Sequence, residues 1–178
     1  MAIQSLTRRQ IRRVLAAARE KRERDFLMIL LAFVHGLRAS EVVALTTDNF
    51  SGSYLTVQRL KGSLKTTQPL LEHADPLLNE RKAVFDFTRG RPKNQRLFKL
   101  TRERFFQIYR EHATAAGIAK HLRHPHVLKH SIAMQIIKKA GIENTRQYLG
   151  HKSMQSTGAY LKVTDEKASA RAQKVLKV

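Results

Sequence analysis

Nine consecutive apolar residues, Phe26 to Val34, constrain this chain more than any other feature. The run is less than half the ~20 residues that cross a bilayer, so it reads as a core helix and not as a span. A helix that is apolar all round must be covered all round. The pattern predicts a buried helix from Arg24 to His35, stopped by Gly36, and its neighbours are built to cover it. Thr7 and Gln10 have capping-box spacing, and Ile11, Val14, Leu15 and Ala18 recur at helical intervals. They predict an amphipathic helix to Arg22 whose polar face is mostly arginine. A short helix from Ser40 to Thr46 follows, then an alternating β-branched hairpin, Tyr54 to Leu60 and Lys65 to Leu70, turning at Gly62-Ser63. Further helices are expected over Pro76–Thr88, Thr101–Ala116, Pro125–Ala140, Thr145–Leu149 and Ser153–Leu161. A tail from Asp165 to Val178 carries an apolar stripe of Ala168, Ala172, Val175 and Leu176. The expected fold is mainly α with one small antiparallel β-hairpin, formed by all 178 residues as a single domain.

Charge narrows the function. Lys and Arg number 34 against 14 Asp and Glu, a formal +20, far more than solubility requires. Residues 1–89 hold 15 basic and 9 acidic side chains and residues 90–178 hold 19 and 5, so the excess lies in the second half. A polyanion is the expected partner. The chain has no cysteine, which excludes disulfides, thiolate catalysis and Cys-based zinc sites and fits a reducing compartment. Arg8, Arg9, Arg12 and Arg13 interrupt any signal-peptide pattern, and a cytoplasmic protein with no membrane partner is expected.

Five short segments carry candidate chemistry. They are Gly36-Leu37-Arg38-Ala39-Ser40-Glu41, Arg59-Leu60-Lys61-Gly62 on the hairpin, His126-Val127-Leu128-Lys129-His130, Leu149-Gly150-His151, and Tyr160 nine residues further on. In this order and spacing they resemble the catalytic domain of tyrosine recombinases, the phage-integrase family of site-specific recombinases. The likeness runs from Leu6 to about Lys162, and the small fimbrial-switch invertases are similar in size. The resemblance implies the fold of that catalytic domain; most relatives carry a separate N-terminal DNA-clamping domain ahead of it, and here the likeness begins within the first ten residues, as in a natural minimal enzyme or an excised fragment. It also implies a site-specific recombinase that cuts and rejoins double-stranded DNA through a 3′-phosphotyrosyl intermediate, with no metal or nucleotide cofactor. Tyr160 would be the nucleophile. Arg38 and Lys129 would clamp the phosphate, and Lys61 would protonate the leaving 5′-oxygen. His126 would assist with the tyrosine proton or donate to phosphate, and His151 would donate to phosphate. Glu41 would orient the side chains around it, with His130 packing nearby or touching phosphate. A dimer or tetramer assembled on DNA is implied, with the tail helix of residues 165–178 docking into a neighbouring protomer. Host DNA-bending accessory proteins are a further class of partner, and the setting would be prokaryotic nucleoid or mobile-element DNA.

One position departs from the family pattern, which has Arg where this chain has Lys129. A guanidinium grips phosphate with a planar fork, whereas an ammonium is a point charge. Basic side chains outside the five segments are expected to contact DNA: Arg8, Arg9 and Arg12 near the start, Arg59 and Lys65 on the hairpin, and Arg91, Lys93, Arg96 and Arg123 beyond it. Each feature also has a plainer reading. A lone Tyr is most often packing, as assigned here to Tyr54, Tyr109 and Tyr148, and charge runs are most often solvated faces. His126 and His130, one helical turn apart, have a spacing that metals use, but no Cys or nearby carboxylate completes a site. Lys65 rivals Lys61 as the hairpin acid, and the family position favours Lys61. Two other functions stay open: a DNA-binding accessory or regulatory protein with weak or no catalysis, and a type IB topoisomerase-like strand passer. A basic RNA binder would leave the order of the five segments unexplained.

Overall fold

The structure, a computed structural model, describes residues 4–60, 63–153, 155–158 and 173. Helix α1 (Arg8–Lys21) starts at the capping box: the Gln10 backbone N–H donates to Thr7 Oγ1 at 3.2 Å, and the Thr7 N–H donates to Gln10 Oε1 at 2.8 Å. Ile11, Val14, Leu15 and Ala18 turn inward, as their spacing predicts. Helix α2 (Glu23–Val34) is buried from Asp25 onward. It packs against α1, α3 (Ala39–Ala44), α4 (Glu80–Thr88), α5 (Arg102–Ala115) and α6 (His126–Tyr148). The nine-residue apolar run is thus the axis of the fold, and each side chain buried there contributes roughly 1.5–3 kcal/mol. The one buried acid of α2, Asp25, is paired with Arg24 at 2.7 Å and with His112 of α5 at 3.1 Å.

The sheet has three antiparallel strands in the order β1 (Phe50–Ser51), β2 (Tyr54–Gln58), β3 (Lys65–Pro69). The hairpin falls where the alternation places it, with Leu55 opposite Gln68 and Val57 opposite Thr66. Strand β1 is an addition, because two residues are too few to show a period. Leu55 and Val57 are buried, and so are their cross-strand partners Thr66 and Gln68, so the inward face of β3 is polar.

Two helix boundaries differ from expectation. Helix α4 begins at Glu80 and not at Pro76, because Asn79 supplies the cap, its side chain accepting from the Lys82 N–H at 3.1 Å. Element α6 is two helices that meet at Gly141 (φ 80°, ψ 178°), the stop expected there, but the second begins directly after that glycine and not at Thr145; Pro125 precedes the first turn. Helix α7 (Gln155–Gly158) begins the segment expected as Ser153–Leu161. The rest of that segment, and the 165–178 tail apart from Gln173, lie outside the described residues. Among the described residues no helix is long and apolar enough to cross a membrane.

Candidate active site

The first segment is a sharp exit from α2. Gly36 adopts φ +58°, and a Cβ there would lie 2.6 Å from Leu149 Cδ2 and 3.7 Å from Lys129 Cγ. Only glycine lets the loop press this closely onto α6. Two residues later the Arg38 backbone N–H donates to Glu41 Oε2 at 2.8 Å, and its guanidinium Nη1 donates to Glu41 Oε1 at 3.0 Å. Glu41, 3% exposed, also accepts from the Leu60 N–H at 3.0 Å and from Arg59 Nη1 at 3.4 Å. Burial alone would raise its pKa, yet the two backbone donors, Arg59 and Lys129 outweigh that and hold the carboxyl below its usual range.

Arg59 departs from the expectation of a DNA contact. It is 2% exposed, and its guanidinium donates to Thr66 Oγ1 at 2.8 Å, to the His35 carbonyl at 2.8 Å and to Gln68 Oε1 at 3.2 Å. A group so enclosed does not reach a solvent-borne phosphate. Burial pulls its pKa down, and the Glu41 carboxylate opposes the shift. The missed signal was strand parity: Leu55, Val57 and Arg59 fall on one face of the hairpin, so the period that buries the first two buries the third. Gln68 and His35 extend this interior chain. Gln68 Nε2 donates to the Tyr148 carbonyl at 2.7 Å, His35 Nδ1 lies 2.8 Å from Gln68 Oε1, and His35 Nε2 lies 2.6 Å from Glu80.

The hairpin is tied on both sides of its turn. Arg38 Nη1 donates to the Leu60 carbonyl at 3.4 Å, and the Leu64 N–H donates to the Gly150 carbonyl at 2.9 Å. Gly150 has φ +68°, and a Cβ there would lie 3.0 Å from Arg59 Cγ, the Leu64 carbonyl oxygen and Thr66 Cγ2. Lys61 itself lies outside the described residues.

The first turn of α6 carries the third segment. The rings of His126 and His130 meet edge to face with centroids 4.4 Å apart. Lys129 is 2% exposed, and its Nζ has no hydrogen-bond partner among the described residues. Burial, then repulsion from Arg38, lowers its pKa to about 7; Glu41 pulls the other way and Arg59 adds to the fall. His126, at the solvent-facing start of the helix, is pushed down by partial burial and by Lys129. His151, after Gly150, shares Nδ1 with Thr157 Oγ1 of α7 at 3.0 Å, and its pKa falls to about 4 through burial and the neighbouring Lys129, Arg38 and Arg59. His130 falls to about 4 through burial and His126. Arg38 acts on Lys129, and both act on His126 and on His151, so the fold brings four of the six candidate catalytic residues to one place, with Glu41 and Arg59 beside them.

Tyr160 lies outside the described residues. The hydroxyls of Tyr148 and Tyr109 donate to the backbone carbonyls of Val34 at 2.8 Å and Leu122 at 3.2 Å, and burial raises the pKa of both phenols. Both are structural, as expected. Among the basic residues expected at DNA, Arg8, Arg9, Arg12, Lys65, Lys93 and Arg96 are exposed, while Arg91 and Arg123 are half-buried. Arg12 pairs with Asp75 at 2.9 Å, and Arg91 stacks over the Phe87 ring at 4.1 Å. Among the described residues no group of three His, Cys, Asp or Glu side chains is placed to hold a metal ion.

Residues 4–167 match the phage integrase family. The chain belongs to that family. It is 32% identical over 169 residues to tyrosine recombinase XerA of Pyrococcus furiosus, covering 90% of this chain and 57% of that relative. It is 28% identical over 152 residues to the type 1 fimbriae regulatory protein FimE of Escherichia coli K12, covering 77% of this chain and 73% of FimE. In structure it is similar to a lambda integrase dimer bound to a COC′ core site, with a TM-score of 0.71 at 19% identity over 93% of this chain and 51% of that one. The chain spans little more than half the length of the XerA relative it matches. As a phage integrase family domain, it has the mainly helical fold with a small sheet that the sequence predicts.

Proposed function

We propose that this domain cuts and rejoins duplex DNA as a site-specific recombinase, through a covalent bond between Tyr160 and a 3′-phosphate. The observation that carries the reading is the cluster of Arg38, Lys129, His126 and His151 above a carboxylate, Glu41, that Arg38 and Arg59 already neutralise. Such a cluster is an anion site, and the anion that matches it is a phosphodiester in its five-coordinate transition state. The Tyr160 oxygen bonds to phosphorus as the bond to the 5′-oxygen breaks, and Lys61 delivers a proton to that leaving oxygen. The phosphotyrosyl link keeps the bond energy for religation, so no nucleotide or metal enters the scheme. His126 takes the tyrosine proton or donates to a non-bridging oxygen, and His151 donates to a non-bridging oxygen.

The exposed cations Arg8, Arg9, Lys65, Lys93 and Arg96 provide sequence-independent phosphate contacts along the duplex. Assembly as a dimer or tetramer on DNA, with the 165–178 tail docked on a neighbour, follows from the family reading. An apolar groove of about 840 Å³ lined by Ile11, Leu71, Ile132 and Ile136 offers such a tail a surface of matching character. Host DNA-bending proteins and prokaryotic nucleoid or mobile-element DNA complete that setting.

A second reading, a DNA-binding regulator with little catalysis, draws on Lys129 standing where the family pattern has Arg, a point charge in place of a planar fork and one whose pKa burial lowers to about 7. One experiment separates the two. Wild type and Tyr160→Phe are incubated with a library of nicked randomised duplexes, denatured in detergent with chelator, and the attached DNA is sequenced. The recombinase reading predicts Tyr160-dependent adducts sharing a sequence. Intact DNA binding with no adduct from the wild type favours the regulator.

A further inference from the structure

Lys129 is an unusual buried cation. Its ammonium has three protons to donate and no acceptor among the described residues, although its side chain is enclosed. The groups that face it come from every side of the site. Arg38 precedes α3, Arg59 follows β2, His126 and His130 share its helix, and His151 lies beyond Gly150. Glu41 is the one anion among them, and Arg38, Arg59 and the Leu60 N–H already occupy it. An arginine here would keep its charge in any case, because a guanidinium does not lose its proton in proteins. A lysine so placed has two ways to end its isolation: it can give up a proton, or it can gain an anion with oxygen acceptors.

We propose that Lys129 takes up one proton from solvent when a phosphodiester enters the site, so that the anion clamp is completed by the substrate instead of standing charged beforehand. The inference rests on the anion-site reading given above and deepens it. Burial and its cationic neighbours put the empty-site amine at about 7. The incoming oxygens supply both the counter-charge and the missing acceptors, and so raise its proton affinity. The Lys129 contribution to anion binding is then flat below about pH 7, where the amine is already charged. Above that value it weakens by about tenfold per pH unit until the midpoint of the occupied site is reached. His130 and His151, with pKa values near 4, are already neutral across this range and do not share the effect.

The test follows the lysine itself and needs no recognition sequence. The protein is labelled with ¹³C at lysine Cε and arginine Cζ; the Lys129 signal is assigned as the lysine signal absent from both Lys129→Arg and Lys129→Met, and the Arg38 signal as the arginine signal absent from Arg38→Lys. It is then titrated with pH in chloride and in sulfate at equal ionic strength; sulfate mimics the phosphate oxygens but does not itself titrate here. Sulfate is raised until the Lys129 and Arg38 side-chain signals stop moving. The proposal expects a midpoint near 7 in chloride that rises by about tenfold or more in proton affinity with sulfate. A midpoint unmoved by sulfate while Arg38 responds and saturates would overturn the proton linkage and leave the functional reading intact. A midpoint at the ordinary lysine value in chloride would do the same. No saturable response at either residue would overturn the anion site itself, and the functional reading with it.

Discussion

The two sides of the candidate site are built on opposite principles. Around Glu41 every charge is answered: Arg38, Arg59 and the Leu60 N–H converge on one carboxylate, and Arg59 has further bonds to Thr66, Gln68 and the His35 carbonyl. On the first turn of α6, Lys129 has no partner among the described residues, and His126, Lys129 and His130 are each pushed toward their neutral forms. One side is satisfied within the fold; the other presents a cation, Lys129, that the described residues leave without a hydrogen-bond partner. Buried polar groups that the fold does not satisfy mark the place where a ligand does.

The contrast is sharpest in two single substitutions with opposite effects on stability. Glu41→Ala leaves Arg59 as a buried charge without its carboxylate, and chemical denaturation should show a loss of about 3–5 kcal/mol. Lys129→Met removes an unpartnered buried amine and fills its volume, so the same measurement should show a gain of about 1–3 kcal/mol. Loss of stability in the Met variant would mean that Lys129 has a structural partner after all.

Gly150→Ala probes the seam between hairpin and α6. The left-handed backbone costs a β-carbon about 1–2 kcal/mol, before any contact with the Leu64 carbonyl is counted. Gly52→Ala, also at positive φ but with open space around it, should cost less. The smallest effect expected is on the pH profile. His130 and His151 titrate near 4 in the folded protein and near the ordinary 6.5 when unfolded, so unfolding takes up protons between those values. Urea midpoints should fall as pH drops from 6.5 toward 4 and flatten below. His130 is partly open to solvent, which screens its share of the effect, while His151 is buried and carries the larger share. Lys129 acts in a higher window: its folded value is about 7 against ~10.4 unfolded, so stability should rise with pH between the two and Lys129→Met should flatten that rise.

The helical frame was legible because its signals are local. The Phe26–Val34 run, the Thr7–Gln10 box and the stop at Gly36 are each read within one or two turns of chain. The start of α4 was not, because Asn79 caps it while Pro76 offers an equally good local signal. The family segments led to Arg38, Glu41, His126, Lys129 and His151, and the fold does bring them together. The role of Arg59 is hidden in a chain whose other arginines are mostly exposed. Its strand parity said otherwise, but the groups that make its burial tolerable, Glu41, Gln68 and the His35 carbonyl, come from three other parts of the chain. The unpartnered state of Lys129 has no sequence signature, since it depends on what Arg38 and Glu41 do first.

The central claim is that the cation cluster serves a covalent step at Tyr160, and the most direct test reads the bond itself. Protein denatured after incubation with nicked duplexes is digested with trypsin and nuclease, and its peptides are weighed. The account predicts that the peptide running from Ser153 to Lys162 carries one nucleotide through a 3′-phosphate on Tyr160, and that Arg38→Ala abolishes the mark while duplex binding persists. A nucleotide on another residue, or unmodified peptides from protein that was saturated with DNA, would contradict it.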